Sequence, residues 1–210
     1  MARLSDREFW KEQFETAGNW SVSWFQSAFD LLTAADVLDR FSGDVRSEIC
    51  EGARRGNASP AGMSRFQFER LQVIKVGFML RAMATECLLK ALWLKNGEKL
   101  TKDGRYVGTM RKSEHQLHEL AKAVARKGQI TFADRELQLL EQASYWIITG
   151  RYPIQRDFSS LVPYRRGDGS LAAKQSWSGD LVSELTALIS KLQRALGIEM
   201  RFEGSDSPSR

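Results

Sequence analysis

Cysteine, histidine and proline are all scarce: two, two and four among 210 residues. Cys50 and Cys87 form no C-x-x-C pair, and two histidines do not complete the ligand set of a structural zinc. So thin a supply of His and Cys argues against a transition-metal enzyme, and no metal or cofactor is expected. Long apolar runs are missing as well. Runs such as Val76 to Leu80 and Trp146 to Ile148 are far too short to cross a bilayer. The opening MARLSDREFWKEQF has no apolar stretch of the signal-peptide kind. The expectation is a soluble, cytoplasmic protein of a reducing compartment, with no membrane partner. There is no G-x-x-x-x-G-K-[ST], G-x-G-x-x-G, H-E-x-x-H or G-x-S-x-G, which removes the common nucleotide, zinc-protease and hydrolase templates.

What is present is an ordinary globular composition, 42% apolar and 27% charged, in a chain long enough to bury a core. The net charge of +5 permits an anionic partner without demanding one. Helical spacing dominates. Ser5-x-x-Glu8 fits a capping box, and Phe9, Trp10 and Phe14 follow at helical intervals, giving a helix over about 6–16 that Gly18-Asn19 should break. A second pattern runs from Trp20 to Leu38 and stops before Ser42-Gly43. The segment 42–62 reads as a connector.

The dominant element spans Ser64 to Lys95, some thirty residues, with Gly77 marking a kink or a close helix crossing. Asp103-Gly104 is a favoured type I′ pair and predicts a β-hairpin between Lys99 and Gly108. Further helices are expected over 114–127, over 134–149 with Asp134 as N-cap, and over 179–196, with 154–177 as loop. Residues 1–62 are the N-terminal helices and connector, 63–197 a helical bundle and 198–210 a disordered tail, together one compact domain. The predicted fold is an all-α antiparallel bundle of five or six helices with a small β-hairpin insertion.

Three features carry possible chemistry. His115 and His118, three apart at the expected start of a helix, would share a face near the positive end of its dipole, suited to an anion or a neutral general base. The ordinary alternative is a histidine paired with backbone or idle at the surface. Glu86 and Lys90 stand one turn apart in the favourable order, and a solvated ion pair is the ordinary reading. Their apolar neighbours Ala82, Met83, Cys87 and Leu89, however, would leave such a pair in need of partners. In Tyr145-Trp-Ile-Ile-Thr-Gly-Arg151-Tyr152-Pro153, Gly and Pro end a helix and would fix Arg151 between tyrosines, either to clamp phosphate and stack a base or simply to answer the helix dipole. The aromatics Phe9, Trp10, Phe14, Trp20, Trp24, Phe25 and Phe29 read as core or as a dimer surface rather than a ligand cage. Arg54-Arg55 and Arg165-Arg166 read as solvated loop charges.

In order along the chain, Glu86-x3-Lys90 on a long helix, a hairpin, His115-Gln-Leu-x2-Leu120 and Gly150-Arg151-Tyr152-Pro153 resemble HEPN-domain proteins, over roughly 64–196. The resemblance implies a dimerising helical bundle. Many members are metal-independent endoribonucleases of toxin–antitoxin or phage-defence systems, while others bind nucleotides or act as non-catalytic partners. The ribonucleases carry Arg, four to six residues, then His. Here Arg151 matches the Arg, but Arg156, Asp157 and Phe158 stand where His should. Arg111-x6-His118 meets the spacing by count and is the candidate catalytic pair. The resemblance thus implies binding of RNA or a nucleotide phosphate by Arg151, Tyr152, His115, Lys90, Glu86 and Tyr145, in a homodimer with a possible antitoxin or defence partner. Cleavage by Arg111 and His118, and a purely protein-binding module, are the alternatives.

Overall fold

The structure, a computed structural model, describes residues 6–43, 48, 51, 65–109, 115–128, 130–151, 164–165, 171–172 and 179–197. In chain order these form α1 (Asp6–Asn19), α2 (Ser21–Ser42), α3 (Arg65–Lys95), β1 (Thr101–Lys102), β2 (Arg105–Tyr106), α4 (Leu117–Lys127), α5 (Asp134–Arg151), β3 (Tyr164–Arg165), β4 (Leu171–Ala172) and α6 (Gly179–Leu196). The all-α bundle with a small hairpin is therefore the observed architecture. Asp103 and Gly104 both adopt positive φ, 54° and 72°, as a type I′ turn requires, and pair Thr101 with Tyr106 across the hairpin. A second antiparallel pair, β3–β4, falls inside the stretch expected to be loop. Two residues per strand are too few to show alternation, so no periodic signal was there to read.

α3 is the axis of the bundle. From Gly77 to Leu94 it is buried or half-buried all round, including Arg81, Glu86 and Lys90. α2 runs antiparallel along it: Trp24 lies by Lys90, Asp39 by Arg81, and the Ser42 carbonyl accepts from Arg70. Arg81 Nη2 reaches Asp36 Oδ1 and Asp39 Oδ2, each at 2.8 Å, and ties the two helices together. A Cβ on Gly77 would come 3.2 Å from Asp39 Oδ1, so the glycine marks a close crossing. Phe78 meets Trp146 of α5 edge to face at 4.6 Å. Leu88, Leu89 and Leu92 of α3 pack with Leu117, Leu120 and Val124 of α4, Leu140 of α5 and Leu185 and Leu192 of α6. Each such leucine contributes about 1.5–3 kcal/mol of burial.

The helix ends differ from expectation in three places. α1 continues through Gly18 to Asn19 instead of breaking there, and the chain turns at Trp20 (φ −94°, ψ 111°). Gly18 serves proximity: a methyl group on it would overlap Thr101 Cγ2. Asn19 then fastens the hairpin, its Oδ1 accepting from the Leu100 and Thr101 amides and its Nδ2 donating to the Thr101 carbonyl. α4 begins at Leu117, because Gln116 (φ −89°, ψ 83°) is not helical. Ahead of α5, the Ala133 amide donates to Glu136 Oε2 and the Ala133 carbonyl accepts from Leu137, so Ala133 rather than Asp134 is the N-cap. Ser5, most of the connector and the tail lie outside the described residues.

Helix propensity alone favours alanine over glycine within a helix by about 0.5–1 kcal/mol. The overlap with Thr101 reverses that sign at Gly18. Gly18→Ala should lower the thermal midpoint. Adding Thr101→Ser, which removes Cγ2 and keeps the hydroxyl that donates to the Glu15 carbonyl, should restore it.

Candidate functional site

In the C-terminal half of α3 the ordinary reading of Glu86 and Lys90 fails. They are not a solvated pair: their side chains are 7% and 8% exposed, with Lys90 Nζ 2.7 Å from Glu86 Oε1. The reason is tertiary. The Trp24 ring of α2 and the Tyr106 ring of the hairpin lie 4.8 Å and 5.5 Å from the ammonium and shut it from water. Each supplies a negative π-face, worth about 0.5–2 kcal/mol when the cation is desolvated. Trp24 is itself fixed by its indole N–H donating to the Gly18 carbonyl at 3.0 Å. Burial pulls the Lys90 pKa down, but the charge and hydrogen bond of Glu86, helped by Tyr106, outweigh it and leave the group above the ordinary lysine value.

The second carboxylate oxygen, Glu86 Oε2, lies 3.1 Å from His115 Nδ1. A carboxylate only accepts, so in this contact Nδ1 carries a proton and donates it. The imidazole is 41% exposed where the carboxylate is buried. Glu86 thus stands between a hidden ammonium and an imidazole that reaches water. Such an arrangement can orient a histidine for proton transfer or for contact with an anion.

His115 and His118 do not act as a pair on one helix face, as their spacing suggests, because His115 lies in the turn before α4 begins. His118 instead places Nε2 3.4 Å from Glu119 Oε1, and its Nδ1 is buried without a hydrogen-bond partner among the described residues. Ser144 of α5 draws the start of α4 onto α5: its hydroxyl accepts from the Leu117 amide at 2.9 Å and donates to the Leu140 carbonyl. His115 is two residues from that contact. Arg151 ends α5 seven residues beyond Ser144, on the same stripe of the helix. Tyr145 is half-buried beside Ser144 in sequence. Tyr152, Arg111 and the Arg156–Phe158 positions lie outside the described residues, as does the side chain of Arg151.

The spacing of the chain gave no signal for Trp24 or Tyr106 as members of this cluster. The hint was indirect: a Glu-Lys pair among Ala82, Met83, Cys87 and Leu89 needs aromatic or polar cover from elsewhere. Cys87 is not a nucleophile of the site. Burial first, and the Glu86 charge second, push its thiol up to about 11, with Lys90 opposing. Among the described residues no three His, Cys, Asp or Glu are disposed to hold a metal, and no helix is long and apolar enough to cross a membrane.

A cleft of about 560 Å³ opens at the other end of α4, with Lys95, Lys127 and Lys191 in its wall. Each ammonium there is committed: Lys95 donates to the Ala195 carbonyl at 2.9 Å, Lys127 pairs with Glu98 at 2.8 Å, and Lys191 pairs with Glu136 at 2.7 Å. α3, α4 and α6 all end nearby, and lysines answering helix C-termini explain the cluster without a ligand. No family model, curated protein or solved structure matches the chain.

Removing one partner of a buried ion pair strands the other. Glu86→Gln should therefore cost about 3–5 kcal/mol in urea unfolding, whereas Glu86→Leu with Lys90→Met should recover most of it. The raised Lys90 pKa fixes the sign at alkaline pH. Its stabilisation is complete below the ordinary value of 10.5 and is lost as pH climbs through the higher folded value. The thermal midpoint of the wild-type protein should fall more steeply above pH 10.5 than that of the double variant.

Proposed function

We propose that the chain is a HEPN-like protein that binds a phosphate-bearing ligand, RNA or a nucleotide, through His115 and Arg151. The supporting observation is the buried Glu86 carboxylate, which joins Lys90 to His115 and aims the imidazole outward. In this reading Lys90 is a positioning residue. It touches no ligand, because Trp24 and Tyr106 close over it, and it holds Glu86 as the anion that orients His115. Arg151, from the end of α5, supplies the charge that clamps phosphate, and Tyr145 or Tyr152 stacks. A homodimer and a place in a defence or toxin–antitoxin system belong to the same reading through the resemblance in motif order.

Anisotropy of a fluorescein-labelled single-stranded RNA, and calorimetry with adenosine mono- and triphosphate, test it at low salt. His115→Ala and Arg151→Ala should each weaken binding about tenfold or more, the effect of losing one charge-assisted hydrogen bond. Binding that neither substitution alters, or no binding by any of these probes, would refute the reading.

The carboxylate-oriented imidazole also favours a second reading, metal-independent endoribonuclease activity. It shifts the catalytic histidine from His118, whose Nε2 lies by Glu119, to His115. Cleavage of RNA in EDTA that is abolished by His115→Ala and retained by His118→Ala is the expected pattern. Loss in His118→Ala alone would return the role to Arg111 and His118.

A further inference from the structure

Thr101 and Tyr106 stand opposite each other in the hairpin, so their side chains share the face turned toward the body of the protein. Their surroundings differ. Thr101 is 2% exposed, because its hydroxyl donates to the Glu15 carbonyl and Gly18 abuts its methyl group. Tyr106 keeps 39% of its surface open. Its ring is braced from within by the buried Lys90 ammonium, 5.5 Å from the ring centre, and by the Trp24 ring at 6.5 Å and a 36° tilt. Asn19 secures the strand opposite through its three hydrogen bonds to Leu100 and Thr101. A half-open ring braced in this way is a preformed stacking surface, since little side-chain freedom remains to be lost when a second ring lies on it.

The imidazole that reaches water lies on the same side of α3. Glu86 and Lys90 are one turn apart on a single stripe of that helix; Tyr106 covers the lysine and His115 the glutamate. Ring and imidazole thus stand at the two ends of one short run of contacts. It measures 5.5 Å from ring to ammonium, 2.7 Å from ammonium to carboxylate and 3.1 Å from carboxylate to imidazole. Both ends reach water, while the two charges between them are hidden. A bare phosphate has a use for the imidazole and none for the ring. A nucleotide complements both, with an aromatic base and, one sugar away, a phosphate. Building on the phosphate-binding reading above, we propose that Tyr106 receives the base of the nucleotide whose phosphate lies at His115. The site then prefers base-bearing phosphates to sugar phosphates, and Tyr145 or Tyr152 is left for a neighbouring base of RNA.

The test displaces fluorescein-labelled single-stranded RNA from the full chain with adenosine monophosphate or with ribose 5-phosphate, which differ only in the base. The nucleotide should compete about tenfold better, the effect of one stacked base. Tyr106→Phe, which keeps the ring, should retain that advantage. Tyr106→Leu, which keeps apolar cover above Lys90 without an aromatic face, should erase it and leave competition by ribose 5-phosphate unchanged. Calorimetric titration of the two phosphates reads the same ratio if a variant no longer holds RNA. A tyrosine that serves only as cover gives a different pattern: Tyr106→Leu then weakens both competitors together and keeps their ratio, which overturns the proposal. An advantage of the nucleotide that survives Tyr106→Leu, with binding still dependent on His115, overturns this inference and leaves the phosphate-binding reading standing. A wild-type chain that binds neither RNA nor either phosphate removes both.

Discussion

A carboxylate and an ammonium buried side by side in the C-terminal half of α3 constrain everything near them. Glu86 and Lys90 cannot remain in an apolar interior unless each finds more than the other, since the attraction within one pair rarely repays the loss of two hydration shells. Three separate elements meet that demand: α2 with Trp24, the hairpin with Tyr106, and the turn before α4 with His115. The polar cluster therefore sets the register in which these pieces assemble around α3. The surrounding leucines supply bulk stability but would tolerate other registers.

The two ends of α4 illustrate how charge acts differently at two places in one bundle. At its start, a single buried carboxylate organises a histidine that opens to water. At its end, about 16 Å away by helical rise, three lysines gather and are used up by carbonyl and carboxylate oxygens. Counting cations would rank the second place above the first. What separates them is that the carboxylate at the start orients a half-exposed imidazole, while the lysines at the end answer carbonyl and carboxylate oxygens of the fold.

Spacing made the long helices legible. Apolar recurrence placed α3 and α6 within a residue of their observed bounds, and Asp103-Gly104 located the hairpin. Local spacing could not reveal which charged residues would be covered. The i,i+4 order of Glu86 and Lys90 is identical for a wet pair and a dry one, and Trp24 and Tyr106 arrive from other elements, one before α3 and one after it. Gln116 interrupts a string, His115 to Ala121, that reads as continuous helix, so the two histidines looked like neighbours on one face. Gly18 looked like a breaker because a glycine needed for close approach has the same letter as one needed for a turn. In each case the missing information was tertiary.

Asn19 uses one side chain to make three hydrogen bonds to Leu100 and Thr101, at the root of the hairpin that carries Tyr106. The start of the chain is thus wired to the interior. Trimming the first nineteen residues, a natural way to ask what an aromatic helix contributes, would also loosen the cover above Lys90. A shortened protein with altered behaviour would be reporting on its middle as much as on its missing end.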